Sequence, residues 1–562
     1  MRNQMKLTDL WTQAGQTLAG TPWPEYPRPS LRRDSFFNLN GEWEFSVGEP
    51  CFDRRIRVPF PPESLLSGVH EVFPEEAPLF YRRRFTLPAG FVKSRVILHF
   101  GAVDQTAEVW LNGVRLGAHV GGYAPFSFDV TDALQDKNEL RVRVEDHLSR
   151  HVLPYGKQKR ERGGMWYTPV SGIWQTVWLE SVPETYVRAV RFETHGNRVT
   201  ARIDGANNGI LRAENFAVEV QNGRAEFTVE NPRLWSPENP CLYEVEIETA
   251  QEKVQSYFAF RSLEIKTVNG VKRLCLNGKP YFFHGVLDQG YWSDGLFTPA
   301  SPRCFDDDIL AMKRLGFNTL RKHIKVEPEL FYYACDRLGI VVFQDMVNNG
   351  KYSFLSDTVL PTIGVRRRSD HRLHRDPETR AQFLAAMDET VVLLQKHPCI
   401  CYWTIFNEGW GQFDGNRQYD RLRALDPTRF IDTASGWFRC DRSDVDSLHV
   451  YFKPVKLPKT DLPLSLSEFG GYSYKPENHV FNTEKTYGYR FFKEQAAFMD
   501  ALERLYLDEI VPARDAGLCA AIYTQLSDVE DETNGLLSYD RAVCKADEAR
   551  MRTIAEKLRF SE

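Results

Sequence analysis

The chain has 562 residues, too many for a single hydrophobic core, and a usual domain size of about 150 residues predicts two to four domains. Its net charge of −5 provides no general electrostatic attraction to nucleic acid or to an anionic membrane, so neither is an expected partner. A neutral, polar substrate is the simpler expectation.

The cysteines and the N-terminus indicate the compartment. Ten cysteines are scattered without regular spacing or a Cys-x-x-Cys pair, which indicates reduced thiols rather than disulfides or a zinc site. Residues 1–8 lack the apolar core of a signal peptide, and no apolar run reaches the roughly 18 residues that span a bilayer. We therefore expect a cytoplasmic protein.

Short alternating runs broken by turn residues fill residues 35–183. This alternation is typical of strands with one buried face. It is found at 41–45, 81–85, 108–113 and 140–144. Asn112-Gly113 predicts a two-residue hairpin, because a type I′ turn requires positive φ at both central residues. We expect a β-sandwich over residues 1–183.

A second, smaller β segment occupies residues 184–265. Alternation recurs at 199–203 and 243–247, and the break Leu234-Trp235-Ser236-Pro237 separates strands. The length of the segment suits an immunoglobulin-like β-sandwich.

After residue 266 the pattern changes to apolar strand, loop and amphipathic helix. Candidate strands lie at 281–286, 319–323, 340–344, 400–406, 430–433, 447–451, 464–467 and 520–524. Helical stretches such as 328–338, 377–396 and 490–516 follow most of them. This repetition over residues 266–562 predicts a TIM (β/α)8 barrel, whose active site lies at the C-terminal ends of the strands.

Two glutamates occupy that end of the predicted barrel. Glu408 follows the fourth candidate strand and Glu468 the seventh. A structural ion pair would explain either glutamate alone, because a buried carboxylate needs a partner. Together they match the retaining cleavage of a glycosidic bond, in which one carboxyl protonates the leaving oxygen and the other attacks the anomeric carbon. We expect them about 5 to 5.5 Å apart.

The motifs around both glutamates resemble those of the family 2 glycoside hydrolases, which contain β-galactosidases, β-glucuronidases and β-mannosidases. The matching stretches are Asn407-Glu408-Gly409-Trp410, Ser467-Glu468-Phe469-Gly470-Gly471 and Asn318-Thr319-Leu320-Arg321-Lys322-His323. Residues 104–113 and 121–126 resemble the family's sugar-binding jelly-roll domain, and residues 234–237 its immunoglobulin-like domain. The resemblance covers nearly the whole chain and implies a jelly roll, an immunoglobulin-like domain and a catalytic barrel.

The resemblance also implies roles for individual residues. Glu408 would be general acid and then base, which requires a pKa raised by desolvation or by the second carboxylate. Glu468 would be the nucleophile, kept ionised by Arg321 and Tyr451, although Arg321 could instead pair with a structural acid. Asn407 would hydrogen-bond the sugar 2-hydroxyl. No metal or organic cofactor is required for this cleavage.

Further polar side chains fall at predicted strand ends and could hold other sugar hydroxyls. They are His323, His449, Asp288 and Asp345. A strand-end Asp or His is as often a satisfied loop anchor, so both interpretations stay open. Trp437, after the fifth strand, is interpreted as a sugar platform in preference to a loop-packing residue.

The chain departs from the family pattern at three places. Ile324-Lys325 stand where an aromatic residue and a proline usually follow the histidine. The eighth strand ends in Thr524-Gln525 rather than in a tryptophan that floors the pocket, a role then open to Trp437. Asn534-Gly535-Leu536 replaces the Asn-x-Lys pair with which β-glucuronidases meet the substrate carboxylate, and such a carboxylate is costly to bury without a cation.

The leading hypothesis is an exo-acting retaining β-glycosidase of galactosidase-like type that acts on an oligosaccharide or glycoside. A uronidase stays open, because the missing cation has several substitutes: Lys322, Lys325, Lys351, Lys453 and the basic stretch 366–368. The alternatives from other classes are an inactive carbohydrate-binding protein and a transglycosylase, which shares the glycosyl-enzyme intermediate. The sequence leaves homo-oligomerisation open.

Overall fold

The computed structural model describes residues 8–360, 370–436 and 438–560. The N-terminal part is a β-sandwich of two antiparallel sheets with a short additional strand pair. The six-stranded sheet contains, in spatial order, Arg54–Val58, Gly41–Val47, Leu79–Phe85, Asn138–Glu145, Thr106–Leu111 and Val114–Val120. The four-stranded sheet contains Phe37–Asn38, Val177–Val182, Arg95–Phe100 and Phe126–Asp129, and the pair is Gly172–Ile173 with Val103–Asp104.

Alternating burial along these strands explains the sandwich. In strand Asn138–Glu145 every second residue is buried, so one face of the sheet packs onto the domain core. The predicted hairpin is present, since Leu111 pairs with Val114 across a turn in which Asn112 and Gly113 have φ of 52° and 83°. The predicted N-terminal β-sandwich is confirmed.

The middle domain is a smaller sandwich with its own core. Its sheets contain Ala189–His195, Arg198–Asp204 and Arg224–Thr228 on one side, and Phe216–Val220, Gly209–Ala213, Tyr243–Glu248 and Lys253–Phe258 on the other. Val199, Leu211 and Ile247 lie in the core between them. The immunoglobulin-like prediction is confirmed.

A small antiparallel sheet leads from the middle domain to the barrel. It contains Leu263–Val268, Val271–Leu276 and Lys279–Pro280. The division that we propose between residues 265 and 266 falls inside the first of these strands, so the limits 1–183, 184–265 and 266–562 remain a proposal.

Eight parallel strands form the C-terminal barrel, and each overlaps a predicted strand. They are Phe283–Asp288, Thr319–Lys322, Val341–Asp345, Ile400–Asn407, Phe430–Ser435, Asp446–Val450, Leu464–Gly470 and Leu518–Thr524. We number them one to eight in chain order. The sheet runs 5-4-3-2-1-8-7-6, so the fourth and eighth strands lie on opposite sides of the ring. The TIM-barrel prediction is confirmed.

Helices surround the barrel strands. They are Arg303–Arg314, Glu329–Leu338, Pro377–Leu394, Gly415–Leu425, Gln495–Leu505, Val511–Asp515 and Glu548–Leu558. The helix expected over 490–516 begins instead with strand Arg490–Phe492, which pairs with Tyr472–Tyr474, and contains the π-helical segment Tyr506–Ile510. Pro512 explains the π-helical segment, because proline has no N–H to donate within the helix.

Short helical segments complete the described elements. They are the α-helical turn Gln13–Gln16, the 3₁₀ turns Pro29–Leu31, Thr131–Ala133 and Leu148–Arg150, and the π-helical turn Phe354–Val359. Within the described ranges, no helix combines the length and apolar character needed to cross a bilayer.

Candidate active site

Glu408 and Glu468 lie together at the C-terminal ends of the fourth and seventh barrel strands. Glu468 belongs to strand Leu464–Gly470, and Glu408 directly follows strand Ile400–Asn407. Oxygen atoms of the two carboxyls lie within 4.8 Å of each other. Inverting glycosidases hold their carboxyls roughly 6.5–9.5 Å apart to admit a water, so this spacing favours retention.

The backbone at Glu408 turns sharply as it leaves its strand. Its φ is 53°, in the left-handed region that residues other than glycine seldom adopt. The Glu408 N–H donates to the Ser435 carbonyl of the fifth strand at 2.9 Å, and Gly409 continues the turn with a φ of 78°. Unfavourable backbone conformations of this kind occur at functional sites, where surrounding contacts maintain them.

Glu468 is a buried carboxylate that is held ionised by its neighbours. Arg321 Nη1 donates to Oε1 at 3.1 Å, and the Tyr451 hydroxyl donates to Oε2. Burial alone would raise the pKa of Glu468, but the charges of His449, Arg321, His323 and Lys157 outweigh burial and lower that pKa to about 2. Glu468 is therefore an anion at neutral pH, as a carboxylate nucleophile must be.

His449 lies between the two carboxyls. Its Nδ1 is 2.8 Å from Glu408 Oε1, and its Nε2 is 3.5 Å from Glu468 Oε1 and 3.1 Å from Ser435 Oγ. The His449 side chain is fully buried, whereas that of Glu408 is 13% exposed. The arrangement gives the two glutamates unlike surroundings: among the described residues, Arg321 contacts Glu468, and no lysine or arginine contacts Glu408.

Arg321 connects the site residues of three strands. It donates to Asn407 Oδ1 at 2.8 Å as well as to Glu468, and its Nη2 is 2.9 Å from Asp345 Oδ2. The bond to Arg321 fixes which way the Asn407 amide faces. The sequence prediction that Arg321 would lie beside Glu468 therefore agrees with the geometry.

Asp345 and His323 contact Arg321 directly or through each other, and within the described ranges neither forms a hydrogen bond with the two glutamates. Asp345 is occupied by Arg321 and by His323, whose Nδ1 is 2.6 Å from Asp345 Oδ2. Burial is the largest influence on the pKa of His323 and lowers it. The structure thus brings both residues to the site as supports for Arg321, and their predicted contact with sugar hydroxyls stays a prediction.

Asp288 is also occupied by protein groups. Its carboxylate accepts from Lys322 Nζ at 2.6 Å and from the Gly290 N–H at 2.9 Å. The geometry therefore supports the loop-anchor interpretation of Asp288, and its predicted role at the sugar stays untested. Trp437 and the basic stretch 366–368 lie outside the described residues.

The four lysines that the sequence suggests as partners for a substrate carboxylate are either paired with a protein carboxylate or exposed on the surface. Lys322 and Lys325 are buried and both contact Glu327, with nitrogen–oxygen distances of 2.9 Å. Lys351 and Lys453 are exposed. Among these four lysines, Lys322 and Lys325 are therefore already paired with a protein carboxylate.

Sequence reasoning missed a loop of the N-terminal domain, residues 155–168, that covers the barrel mouth. Tyr155 N and Tyr155 Oη donate to the carbonyls of Asn348 and Gly350 at 3.0 and 2.8 Å. Trp166 stacks on Trp410 with ring centroids 5.5 Å apart. This 155–168 loop also places Lys157, which is buried, beside the site.

Little in the sequence identified that loop as part of the site. The one sequence signal for a role at the site is that three aromatic residues occur in a segment with many charges: Tyr155, Trp166 and Tyr167. A second missed residue is Tyr489, whose ring stacks on Tyr451 at 3.7 Å and so fixes the hydroxyl that contacts Glu468.

Among the described residues, Glu408, His449 and Glu468 present oxygen and nitrogen atoms close enough together to bind a cation. Arg321 and Lys157 add positive charge at Glu468, which opposes a divalent ion there. The same atoms are suited to transferring a proton and attacking a carbon, and these two tasks need no metal.

Three family models match the chain in order along its length. They are the galactose-binding domain-like model of glycosyl hydrolase 2 at residues 71–177, the glycosyl hydrolases family 2 model at 184–261 and the family 2 TIM barrel domain at 267–460. Each matched range falls within one of the three domains of the structure.

Curated relatives and solved structures agree with these matches. A β-glucuronidase of Felis catus is 27% identical over 72% of this chain and 69% of its own length. A β-galactosidase of Thermoanaerobacter pseudethanolicus is 24% identical over 70% of the chain, which spans only 53% of that relative.

The fold is shared with solved enzymes over their full length. The structure of a β-D-glucuronidase from Dictyoglomus thermophilum superposes with a TM-score of 0.71 at 19% identity, and covers 95% of this chain and 98% of its own. A β-galacturonidase from Eisenbergiella tayi gives 0.67 at 19%, with 96% and 100% coverage. The chain belongs to family 2 of the glycoside hydrolases, enzymes that hydrolyse O-glycosyl bonds.

Proposed function

We propose that the chain is an exo-acting, retaining β-glycoside hydrolase in which Glu408 is the acid/base and Glu468 the nucleophile. The observation that carries this proposal is the pair of carboxyls within 4.8 Å of each other at the barrel mouth. Their different contacts support different roles, since Glu468 is bound by Arg321 and Tyr451, and Glu408 by His449.

In the first step, Glu468 attacks the anomeric carbon while Glu408 gives its proton to the glycosidic oxygen. The bond from the anomeric carbon to the leaving group breaks, and a covalent glycosyl ester forms on Glu468. Asn407, oriented by Arg321, donates its amide N–H to the sugar 2-hydroxyl, a contact that strengthens as the ring gains oxocarbenium character.

In the second step, Glu408 removes a proton from water, which attacks the same carbon and releases the sugar. The Glu468 carboxylate leaves, and the β-configuration is restored by two inversions. Arg321 and Tyr451 stabilise the departing carboxylate, because both donate to it.

The 155–168 loop supports removal of a terminal sugar. Trp166 of this loop stacks on Trp410, which lies two residues after Glu408 in the chain. Tyr352 packs on both rings. A mouth closed on one side by aromatic rings forms a pocket, whereas cleavage within a polymer needs a groove open at both ends.

The inactive binding protein is the weaker candidate. A site that only binds sugar has no use for a carboxylate pKa near 2 beside a second carboxyl. Relatives named β-galactosidase and β-glucuronidase leave the galactosidase-like hypothesis and the uronidase alternative both open at this level. The cytoplasmic location stays a prediction, and homo-oligomerisation and transglycosylation stay open.

An activated 2-deoxy-2-fluoro-β-glycoside tests the mechanism directly. The fluorine slows the second step, so the glycosyl ester accumulates and peptide mass spectrometry identifies the modified residue. We expect the label on Glu468, and proton NMR of a hydrolysed aryl β-glycoside should show the β-anomer first. Release of the α-anomer, or a label on another residue, would contradict the proposed mechanism.

A further inference from the structure

Within the residues that the structure describes, Lys157 is a buried cation that forms no ion pair with a carboxylate. Four lysines are buried among the described residues. Lys322, Lys325 and Lys545 have a carboxylate oxygen within 2.6, 2.9 and 2.5 Å. Across the described part of the chain, no acidic group lies within the 4.0 Å ion-pair distance of Lys157, which is only 8% exposed. Glu468 and Glu532 interact with the Lys157 charge only at longer range. A buried ammonium with no carboxylate in direct contact would be stabilised by an external anion.

The neighbours of Lys157 place it on one side of the barrel mouth. Gln289, directly after the first strand, accepts from Lys157 Nζ at 3.1 Å when its amide is oriented so that nitrogen donates to the His323 carbonyl. The ammonium is 5.7 Å from the ring of Tyr167, whose hydroxyl donates to Glu532, beyond the eighth strand.

This position faces Asn407 across the ring of strands. Asn407 ends the fourth strand, and the first and eighth strands lie on the opposite side of the barrel. When the anomeric carbon lies between the two glutamates and the 2-hydroxyl contacts Asn407, C5 and its substituent point away from the fourth strand. The substituent on C5 therefore points towards Lys157.

We propose that Lys157 binds the carboxylate on C5 of a hexuronic acid, so that the N-terminal domain determines which sugar the barrel accepts. The proposal rests on the proposed function, because it takes the sugar position from the two glutamates and Asn407. It replaces the cation that the barrel's Asn534-Gly535-Leu536 segment lacks.

The 155–168 loop holds Lys157 rigidly enough for this role. Gly156 has a φ of 66°, and a Cβ there would meet the Ile324 carbonyl oxygen at 2.7 Å, so a glycine is needed for the close approach. Arg162 binds Glu530 and Asp531 at 3.1 and 3.2 Å, which fixes the far part of the loop. Little side-chain freedom remains to be lost on binding.

A competing role for Lys157 is to act on Glu468 alone, since its charge contributes to the low pKa of that carboxylate. The two roles differ in their dependence on the sugar. If Lys157 binds the substrate carboxylate, its loss slows the cleavage of uronides selectively. If it acts only on Glu468, its loss slows the cleavage of every substrate by the same factor.

The test compares 4-nitrophenyl β-glucuronide and β-galacturonide with the matching β-glucoside and β-galactoside, using the full chain. We expect the wild type to have a kcat/KM at least 100-fold higher for a uronide than for its neutral counterpart. Lys157→Met should reverse or abolish this ratio, and Lys157→Arg should recover part of it. Lys137→Met is the control, since Lys137 is exposed elsewhere in the N-terminal domain, and this change should alter neither rate more than twofold.

Each result decides between the proposals. A wild type that cleaves only neutral glycosides, or a Lys157→Met variant that slows both classes equally, overturns the role of Lys157 while hydrolysis through Glu468 stands. If nothing in the panel is cleaved, calorimetry with D-glucuronate and D-glucose still decides it. Glucuronate binding that is lost in Lys157→Met supports the proposal, and equal binding by both proteins overturns it.

Discussion

Two clusters of buried charge meet at the barrel mouth, and they differ in how the charges are balanced. In the paired cluster, Lys322 binds Asp288 and Glu327, and Lys325 shares Glu327. In the reactive cluster, formed by Arg321, Glu408, His449, Glu468 and Lys157, carboxylates and cations are close but incompletely matched.

This difference separates the charges that support the fold from those that a ligand can contact. Every ammonium and carboxylate of the paired cluster has a partner, so removing one group leaves another charge buried alone. The reactive cluster contains three groups that a substrate can contact: the Glu408 carboxyl, the Glu468 carboxylate and the Lys157 ammonium. Mutations in the first cluster should act on stability, and mutations in the second on turnover.

The largest effect should follow from Glu468→Gln in the reactive cluster. Without a nucleophile the glycosyl ester cannot form, and we expect kcat to fall about 10⁵-fold or more, with the fold retained. Steady-state rates on an aryl β-glycoside, together with circular dichroism, measure both. Residual activity above about 1% of wild type would show that another group attacks the sugar.

Glu408→Ala should have a smaller and substrate-dependent effect. Protonation matters little for a leaving group such as 2,4-dinitrophenolate, so its first step should be nearly retained, while an alkyl glycoside should lose about 10³-fold or more. Added azide should raise the rate by attacking the intermediate without base assistance. Equal, mild losses on both substrates would contradict the division of roles.

The sequence predicted the barrel and the reactive glutamates because these features are local. Alternation and strand-end position follow from residues close in the chain, so the sequence alone assigns Glu408 and Glu468 to the fourth and seventh strands. Tyr451 and Arg321 came from the family resemblance, and both contact Glu468.

What the sequence could not predict depends on contacts between distant segments. Asp288 and Lys322 were both singled out, yet their pairing at 2.6 Å joins neighbouring strands 34 positions apart. Lys157 was overlooked because its importance arises only when a loop of one domain docks on another, through contacts such as Tyr155 with Asn348. A lysine's charge balance is a property of the folded molecule.

The paired cluster should respond in stability. Lys322→Met leaves Asp288 and Glu327 without their shared cation, and we expect about 3 kcal/mol less free energy of unfolding. Urea unfolding followed by tryptophan fluorescence measures the loss. The double change Lys322→Met with Asp288→Asn should recover part of it, because one uncompensated charge is removed.

An exposed lysine that is also paired with a glutamate shows how much of the stability loss in Lys322→Met comes from burial of the ion pair. Lys253 binds Glu246 at 3.0 Å on the surface of the middle domain, and Lys253→Met should lower the free energy of unfolding far less than Lys322→Met does. A Lys322→Met variant that is as stable as Lys253→Met would show that the paired cluster is not needed for the fold.

A third way to bury a titratable group is to keep it neutral, and His284 on the first strand is the example. Burial lowers the pKa of His284 from 6.5 to about 4, while its ring nitrogens lie 3.2 Å from the Gly316 carbonyl and from the Tyr506 hydroxyl. Between these pKa values the unfolded chain binds more protons than the folded one, so stability is lost as pH falls from about 6.5 towards 4.

At pH 5 this loss amounts to about 2 kcal/mol relative to the neutral histidine. His284→Gln carries no titrating ring, so its free energy of unfolding should fall by about 2 kcal/mol less than that of wild type between pH 7 and pH 5. His195→Gln, at an exposed position of the middle domain, serves as the control and should track the wild type. If His284→Gln also tracked the wild type, the folded protein would have to bury the ring in its charged form beside Gly316 and Tyr506. His284 would then no longer differ from the paired and reactive clusters in being buried without charge.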